Sequence, residues 1–384
     1  MNYILPLIVL LLFLNSSWVM AGVCVVVVIL VFLINLISRQ ESMLYVPCVM
    51  PGMQTPENNP EGLRSPADKN LIYEDVYMET TDGVQLHAWF ISVSTKEEND
   101  DGEGTPHHVK GKEDEAPTLL FCHANAGNIG LRVPNFAEVV DRLQANILAL
   151  DYRGYGQSKG EPSEEGLIED ALTAWRWLQS AASKGRISPD KVFVFGRSLG
   201  GAVAIALTHE LRRRQKVLPK AGTLIPAGLI LENTFLSISA VVDVLFPLIA
   251  FQSLKERFLR LSWDSVSRIA TLEVPILFLS GTQDELIPPA HMQALKAAAS
   301  SSRLIRLVAF PEGKHNDTWE KGGDEYWEAQ ETFFKDCLAL EPLKVQSSPT
   351  LSPKDDAQSE IPSSEGAAAA PRRRAVGGES NDAT

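Results

Sequence analysis

Cysteine, basic side chains and, over the amino-terminal stretch, charge of either sign are what this sequence has least of. Only four cysteines (Cys24, Cys48, Cys122, Cys337) are scattered over 384 residues. That spacing excludes a disulfide framework, and the absence of any Cys-x-x-Cys pair argues against a zinc site. Lysine and arginine (35) are outnumbered by aspartate and glutamate (48), which leaves a net charge of −13. With no basic stripe to neutralise phosphates, nucleic acid is excluded as a partner. The one adjacent histidine pair, His107-His108, lies in a polar run with no further spaced ligand, so neither a metal nor a cofactor is expected. What is present in quantity is apolar surface: 45% of the residues are hydrophobic, enough to close one large core.

From Tyr3 to Ile37 there is no charged residue. The part from Trp18 to Ile37 supplies by itself the roughly 20 apolar residues that cross a bilayer. A cleaved signal peptide would show a basic start, a shorter apolar core and a small-residue cleavage site, and none is clear. Residues 1–38 are therefore expected to be a retained single-pass anchor, with the lipid bilayer as a partner, in an endomembrane or the plasma membrane. Arg39 is nearly the only flanking base, so the positive-inside rule leaves sidedness open. Residues 39–70 hold five prolines and little periodicity, and read as a linker lying over the membrane-proximal face of the domain that follows.

Residues 71–340 read as one domain. It starts with two alternating runs around Asp82-Gly83, a hairpin signature. A charged insert over 95–116 is too polar to pack. Then apolar runs (TLLFCH, NILALDY, KVFVFG, AGLILENT, PILFLSG, LIRLVAF) alternate with amphipathic segments, which implies a mostly parallel central sheet with helices on both faces, an α/β fold. The segment from Ser163 to Gln179 is such a helix, with Ser163 as cap and Glu164 and Glu165 at the positive end of its dipole. Residues 235–272 break the alternation, are rich in Leu, Val, Phe and Ile, and are expected to form a short helical cap above the sheet. Residues 341–384, poor in aromatic side chains, read as a disordered tail.

Chemistry concentrates at Gly196-Arg197-Ser198-Leu199-Gly200, a Gly-x-Ser-x-Gly turn between a strand and a helix. Such a turn strains the serine backbone and lifts its hydroxyl clear of the sheet. A serine nucleophile needs a base, and this context predicts the chain order Ser, acid, His. Of the three later histidines, His209 and His291 fall in helical runs. His315 alone follows an apolar strand directly, at the end of the sheet where open α/β folds gather their sites. Asp284 and Glu232 both follow strands. Asp284, projected by a Gly-Thr-Gln turn and followed by two prolines, is favoured as the acid, with Glu232 anchoring a turn. An oxyanion is expected to be held by the backbone N–H of Leu199 and that of Ala124 or Asn125, in a loop where His123 shapes the backbone. Arg153 and Tyr155 read as structural, and Arg197 has no assignable role.

In that order, HANAGN, DYRGYGQSKGEPSEEG, FGRSLGGAVA, ENTF, SGTQDELIPP and PEGKHNDTW resemble the membrane-anchored alpha/beta hydrolase domain-containing protein 13 group. The resemblance implies an α/β-hydrolase fold and a serine hydrolase, related to acyl-protein thioesterases and lipid esterases, with Ser198, Asp284 and His315 as its triad. Ala124 departs from the glycine that usually follows the histidine of the first motif. The anchor and the apolar cap favour an acyl chain in the substrate: an acyl-protein, as for a palmitoyl-protein thioesterase, or else a lysophospholipid or monoacylglycerol. A noncatalytic membrane-associated binding protein on the same fold is the competing class.

Overall fold

The computed structural model describes residues 4–93, 114–217, 224–246 and 252–341. Most of the charged insert and the carboxy-terminal tail beyond residue 341 lie outside the described residues.

The chain opens with a helix, α1 (Ile4–Ser38), 35 residues without one charged side chain, followed by a short helix, α2 (Gln40–Leu44). No helix long and apolar enough to cross a membrane is found among the residues whose side chains are described. The spanning role expected for residues 1–38 therefore rests on the backbone and sequence of α1.

Among the described residues, eight strands form one sheet in the order β1-β2-β4-β3-β5-β6-β7-β8. Strands β1 (Ile72–Glu79) and β2 (Gln85–Ser92) make the expected hairpin, closed where the Gly83 N–H donates to the Thr80 carbonyl at 3.0 Å. Strand β2 lies antiparallel to β4. Strands β3 (Thr118–Cys122), β4 (Asn146–Asp151), β5 (Val192–Arg197), β6 (Gly228–Glu232), β7 (Ile276–Gly281) and β8 (Ile305–Phe310) run parallel to one another. The inner strands read as unbroken apolar runs because both of their faces are covered: every residue of β3 to β7 is buried.

The period of two then assigns each side chain to a face. Val192 and Val194 pack with α4 (Glu164–Ser183), α5 (Leu199–Val217) and α9 (Ala290–Ala298) through Trp175, Val203 and Leu295. Phe193 and Phe195 pack on the opposite face with α3 (Val133–Leu143) and α11 (Gly323–Ala339) through Phe136 and Phe333. The segment between β6 and β7 contains α6 (Ile238–Leu245), α7 (Gln252–Phe258) and α8 (Ser265–Ile269). A one-turn helix, α10 (Thr318–Lys321), precedes α11.

Two segments depart from their simplest sequence reading. Ser163 caps α4 as its type suggests, accepting from the Gly166 N–H at 3.0 Å. The Glu164 carboxylate, however, does more than meet the helix dipole. It accepts from the N–H groups of Ser262 and Trp263 at 2.8 Å each and from Arg268 at 2.9 Å, so α4 holds the cap segment by its polypeptide backbone. Residues 39–70 are packed against the domain. Tyr45 is buried, its hydroxyl accepts from the indole N–H of Trp263 at 3.0 Å, and Asn59 donates to Asn128 at 2.8 Å in the interior. Hydrogen bonds of this kind carry no period, which is why composition alone reads the segment as a linker.

Replacing Glu164 with alanine leaves two backbone donors and one guanidinium without an acceptor. The expected result is a loss of about 2–4 kcal/mol in urea unfolding. Limited proteolysis of the native protein should then cut first between residues 252 and 263.

Candidate active site

The turn from β5 into α5 is as tight as its glycines demand. Ser198 has φ = 55°, a left-handed backbone that a β-carbon makes costly. A Cβ on Gly196 would overlap the Gly200 carbonyl, and one on Gly200 would overlap the Cys122 carbonyl of β3. The strained residue is held from both sides: its N–H donates to the Glu232 carbonyl at 2.9 Å, and its own carbonyl accepts from the Thr234 hydroxyl at 2.7 Å.

Ser198 Oγ lies 3.0 Å from His315 Nε2, and His315 Nδ1 lies 2.8 Å from Asp284 Oδ2. The other carboxylate oxygen of Asp284 accepts from the N–H groups of Leu286 and Ile287 at 2.9 and 2.8 Å. A carboxylate only accepts, so Nδ1 carries the proton and Nε2 is left to accept from the serine hydroxyl. All three residues are at most 8% exposed, which keeps bulk water from competing for these bonds. The arrangement can move a proton from Oγ to Nε2 as the oxygen attacks an electrophilic carbon.

Asp284 and His315 sit on different loops, after β7 and β8. Close approach of those loops needs glycine: a Cβ on Gly281 would strike the Gly313 carbonyl and the Thr318 hydroxyl. Asn233, just after β6, fastens the two together. Its amide N–H group lies within hydrogen-bonding distance of the carbonyls of Lys314 (3.1 Å) and His315 (3.2 Å) and of the Thr318 hydroxyl (2.9 Å), while its Oδ1 accepts from the Gly281 N–H at 2.8 Å. Asn233 is itself left-handed, with φ = 47°, a conformation that asparagine tolerates better than most residues. The sequence reading assigned it no role; the only signal was an asparagine directly after a strand.

The loop after β3 brings the predicted oxyanion donors to the same end of the sheet. Leu199 begins α5, so its amide has no helical carbonyl behind it. His123 is fully buried, and that burial lowers its pKa to about 4, leaving a neutral ring. Its Nδ1 lies 2.7 Å from the Ala124 carbonyl, and its own carbonyl accepts from Tyr152 at 3.0 Å, so it shapes the loop as expected. In a trans peptide the Asn125 N–H points opposite to that Ala124 carbonyl, away from His123. The Asn125 side chain has a task that sequence reasoning missed. Its Oδ1 accepts from Tyr155 at 2.9 Å and from the Val46 N–H at 3.2 Å, and its amide donates to the Leu44 carbonyl.

The remaining candidates fall elsewhere. Glu232 faces Arg197 across β5 and β6, and its Oε2 takes hydrogen bonds at 2.8 Å from both Arg197 and Tyr326. Burial opposes the Arg197 charge, yet the adjacent carboxylate keeps its pKa raised. Glu232 is thus committed to a structural pair on the α11 face, and Arg197 gains the role that it lacked. His209 meets Thr271 at 3.0 Å, and His291 Nδ1 accepts from the Leu236 N–H at 3.2 Å. Arg153 pairs with Asp170 and Asp82 at 2.9 and 2.8 Å. His107 and His108 lie outside the described residues, among which no cluster of His, Cys, Asp and Glu could hold a metal. A polar cleft of about 470 Å³, bordered by Gln54, Gln85, Gln157 and Lys159, opens beside the turn after β4, and none of Ser198, Asp284 and His315 lines it.

A mostly parallel sheet with helices on both faces, a strained serine between β5 and α5, and a histidine and an acid on the loops after later strands define an α/β hydrolase fold. A family profile described as alpha/beta hydrolase fold matches residues 126–263. The alpha/beta hydrolase domain-containing protein WAV2 of Arabidopsis thaliana is 39% identical over 310 residues, 78% of this chain and 89% of the relative. Protein bem46 of Schizosaccharomyces pombe is 35% identical over 71% of this chain and 80% of the relative. An uncharacterized membrane protein of Saccharomyces cerevisiae is 33% identical over 69% and 80%. Among solved structures, an esterase of Pyrococcus furiosus superposes with a TM-score of 0.53 at 18% identity, covering 71% of this chain and 94% of the other. At that identity the likeness shows the fold. The chain belongs to the alpha/beta hydrolase domain-containing protein family that includes WAV2 and bem46.

Substitution separates the two acids. Arg197→Met strands a buried carboxylate and should cost about 3–5 kcal/mol in chemical denaturation, with most of that recovered when Glu232→Gln is added. Asn233→Ala should leave the protein folded while lowering turnover of any ester substrate by roughly a hundredfold, with KM little changed, because His315 loses its fixed position.

Proposed function

We propose that this protein is a membrane-anchored serine hydrolase that cleaves an ester or thioester through an acyl-serine intermediate, of the kind found in the alpha/beta hydrolase domain-containing protein 13 group. The observation that carries the reading is the hydrogen-bonded chain Ser198–His315–Asp284, with Ser198 on a left-handed turn. The oxygen of Ser198 attacks the acyl carbon as its proton passes to His315 Nε2, and the Asp284 carboxylate stabilises the imidazolium through Nδ1–H. The oxyanion is held by the N–H of Leu199 and by that of Ala124 or Asn125. The leaving thiol or alcohol takes the proton from Nε2. Water, deprotonated by the same nitrogen, then releases the acid and restores the serine.

The membrane reading is supported by the uncharged 35-residue helix α1 and by a relative named as a membrane protein. The apolar cap from Phe235 to Leu272 favours a long acyl group, and a palmitoyl-protein thioesterase is the reading adopted. Lysophospholipids and monoacylglycerols offer the same acyl chemistry and serve as competitors in its test.

A fluorophosphonate probe is expected to label the full-length protein at Ser198, and labelling should vanish in Ser198→Ala. Equal labelling of parent and variant sinks the hydrolase reading and leaves the binding protein. With labelling established, a palmitoyl thioester should be turned over faster than a butyryl thioester, and long-chain thioesters should compete with the probe more strongly than glycerolipids. Equal rates across chain lengths would remove the argument from the cap.

A further inference from the structure

The foot of α1 is built into the hydrolase domain. The Ser38 carbonyl accepts from Arg260 at 3.3 Å, and Glu41 pairs with the same guanidinium at 2.8 Å. The Gln40 amide donates to the Phe258 carbonyl at 2.7 Å and accepts from the Arg260 N–H at 2.9 Å. Two residues of helical rise amount to about 3 Å. The stretch 258–260 is therefore fixed within one side-chain length of the end of α1.

Around this foot the surface is apolar. Outside α1, twelve large apolar side chains are exposed among the described residues, and eight of them fall on just two places, residues 43–50 and the described residues 244–246 with 258. Met43, Val46 and Met50 represent the first, Val244, Phe246 and Phe258 the second. The Lys255–Asp243 ion pair joins α7 to α6, and Phe258 meets α2, the helix that carries Met43, through its contact with Gln40. Isolated exposed apolar residues are ordinary, but a concentration of them on joined segments marks an interaction surface. Arg39 and Arg257 border the same surface in sequence, one beside the end of α1 and the other beside Phe258.

We infer that this surface docks on the lipid bilayer and sets the hydrolase domain down at headgroup depth. The inference rests on the reading of α1 as the anchor. If α1 is inserted, its hydrogen-bonded foot leaves Met43 to Met50, Val244 to Phe246, and Phe258 no other place than the interface. Side chains of this kind partition there, apolar parts toward the acyl boundary and guanidinium groups toward lipid phosphate. The docked segment also reaches the catalytic end of the sheet. Val46 contacts the loop after β3 twice, through its N–H to Asn125 and through its carbonyl, which accepts from the Gly127 N–H at 3.0 Å. The enzyme so placed takes acyl groups presented in a bilayer in preference to soluble ones.

The test uses the full-length chain in phosphatidylcholine–phosphatidylserine vesicles. An environment-sensitive fluorophore is attached at Met50→Cys, in a Cys24→Ser, Cys48→Ser background, and quenched by lipids spin-labelled near the headgroup. Strong quenching is expected at this position and little for the same fluorophore at Asp190→Cys, which is exposed before the amino end of β5. Absence of quenching at Met50→Cys overturns the docking whether or not any substrate is turned over. Carbonate extraction of the parent reads the anchor separately: protein that extracts yet is quenched keeps the docking and loses the anchor. As a second arm, Met50→Asp combined with Phe246→Asp should slow hydrolysis of a bilayer-borne palmitoyl thioester roughly tenfold relative to a soluble butyryl thioester. An unchanged ratio overturns the preference for bilayer-borne acyl groups.

Discussion

The strained backbone of Ser198 is the constraint on which the rest of the site depends. A left-handed serine is unfavourable by itself, and it persists only where the surroundings leave no alternative. Here α5 approaches β5 and β3 so closely that neither Gly196 nor Gly200 can bear a Cβ. The N–H and carbonyl of Ser198 are both tied to the end of β6, through Glu232 and Thr234. Strain at one residue is thus maintained by the buried parallel sheet, whose interior is too tightly packed to relax around it. The hydroxyl is presented at the carboxyl end of β5 because the turn has no room to place it elsewhere.

The same economy explains why two carboxylates and three polar residues cluster without interfering. Glu232 is the last residue of β6 and Asp284 lies on the loop after β7, and the two take different partners. Position in β6 puts Glu232 where Arg197 and Tyr326 neutralise it, whereas Asp284 lies on a loop whose own N–H groups donate to one oxygen and leave the other for His315. Asn233 lies between these two residues and binds only backbone and a threonine hydroxyl. A neutral amide there fixes the His315 loop without adding a charge that would bias the proton on the imidazole.

The legibility of the sequence followed from how each feature is stabilised. Strands buried on both faces must be apolar throughout, so the five parallel strands β3 to β7 could be read as runs. The nucleophile turn demands glycine two residues to either side of Ser198, so Ser198 was visible, and chain order then pointed to His315 and Asp284. What could not be read is held by pairings across the sheet. Arg197 meets Glu232 only through the register of β5 and β6, a separation of 35 residues. Asn233 looks like any asparagine at a strand end. The segment 39–70 has no hydrophobic period because asparagine, tyrosine and backbone groups fasten it, and these leave no repeating trace.

That last segment changes how the domain must be thought of. A flexible tether would let the hydrolase domain sample all orientations about an anchor, and burial of Tyr45 would then serve only stability. Tyr45, however, bonds Trp263, whose backbone is held by Glu164, while the neighbouring residues Leu44 and Val46 bond the loop after β3 through Asn125. The foot of α1, the segment around Trp263 and the loop after β3 are therefore joined by hydrogen bonds. A tilt of α1 would be passed along these bonds to the segment around Trp263 and to the loop after β3. A rigid connection of that sort is costly to maintain beside a merely passive tether. The orientation of the domain relative to α1 is thus set by bonds that also hold the loop after β3.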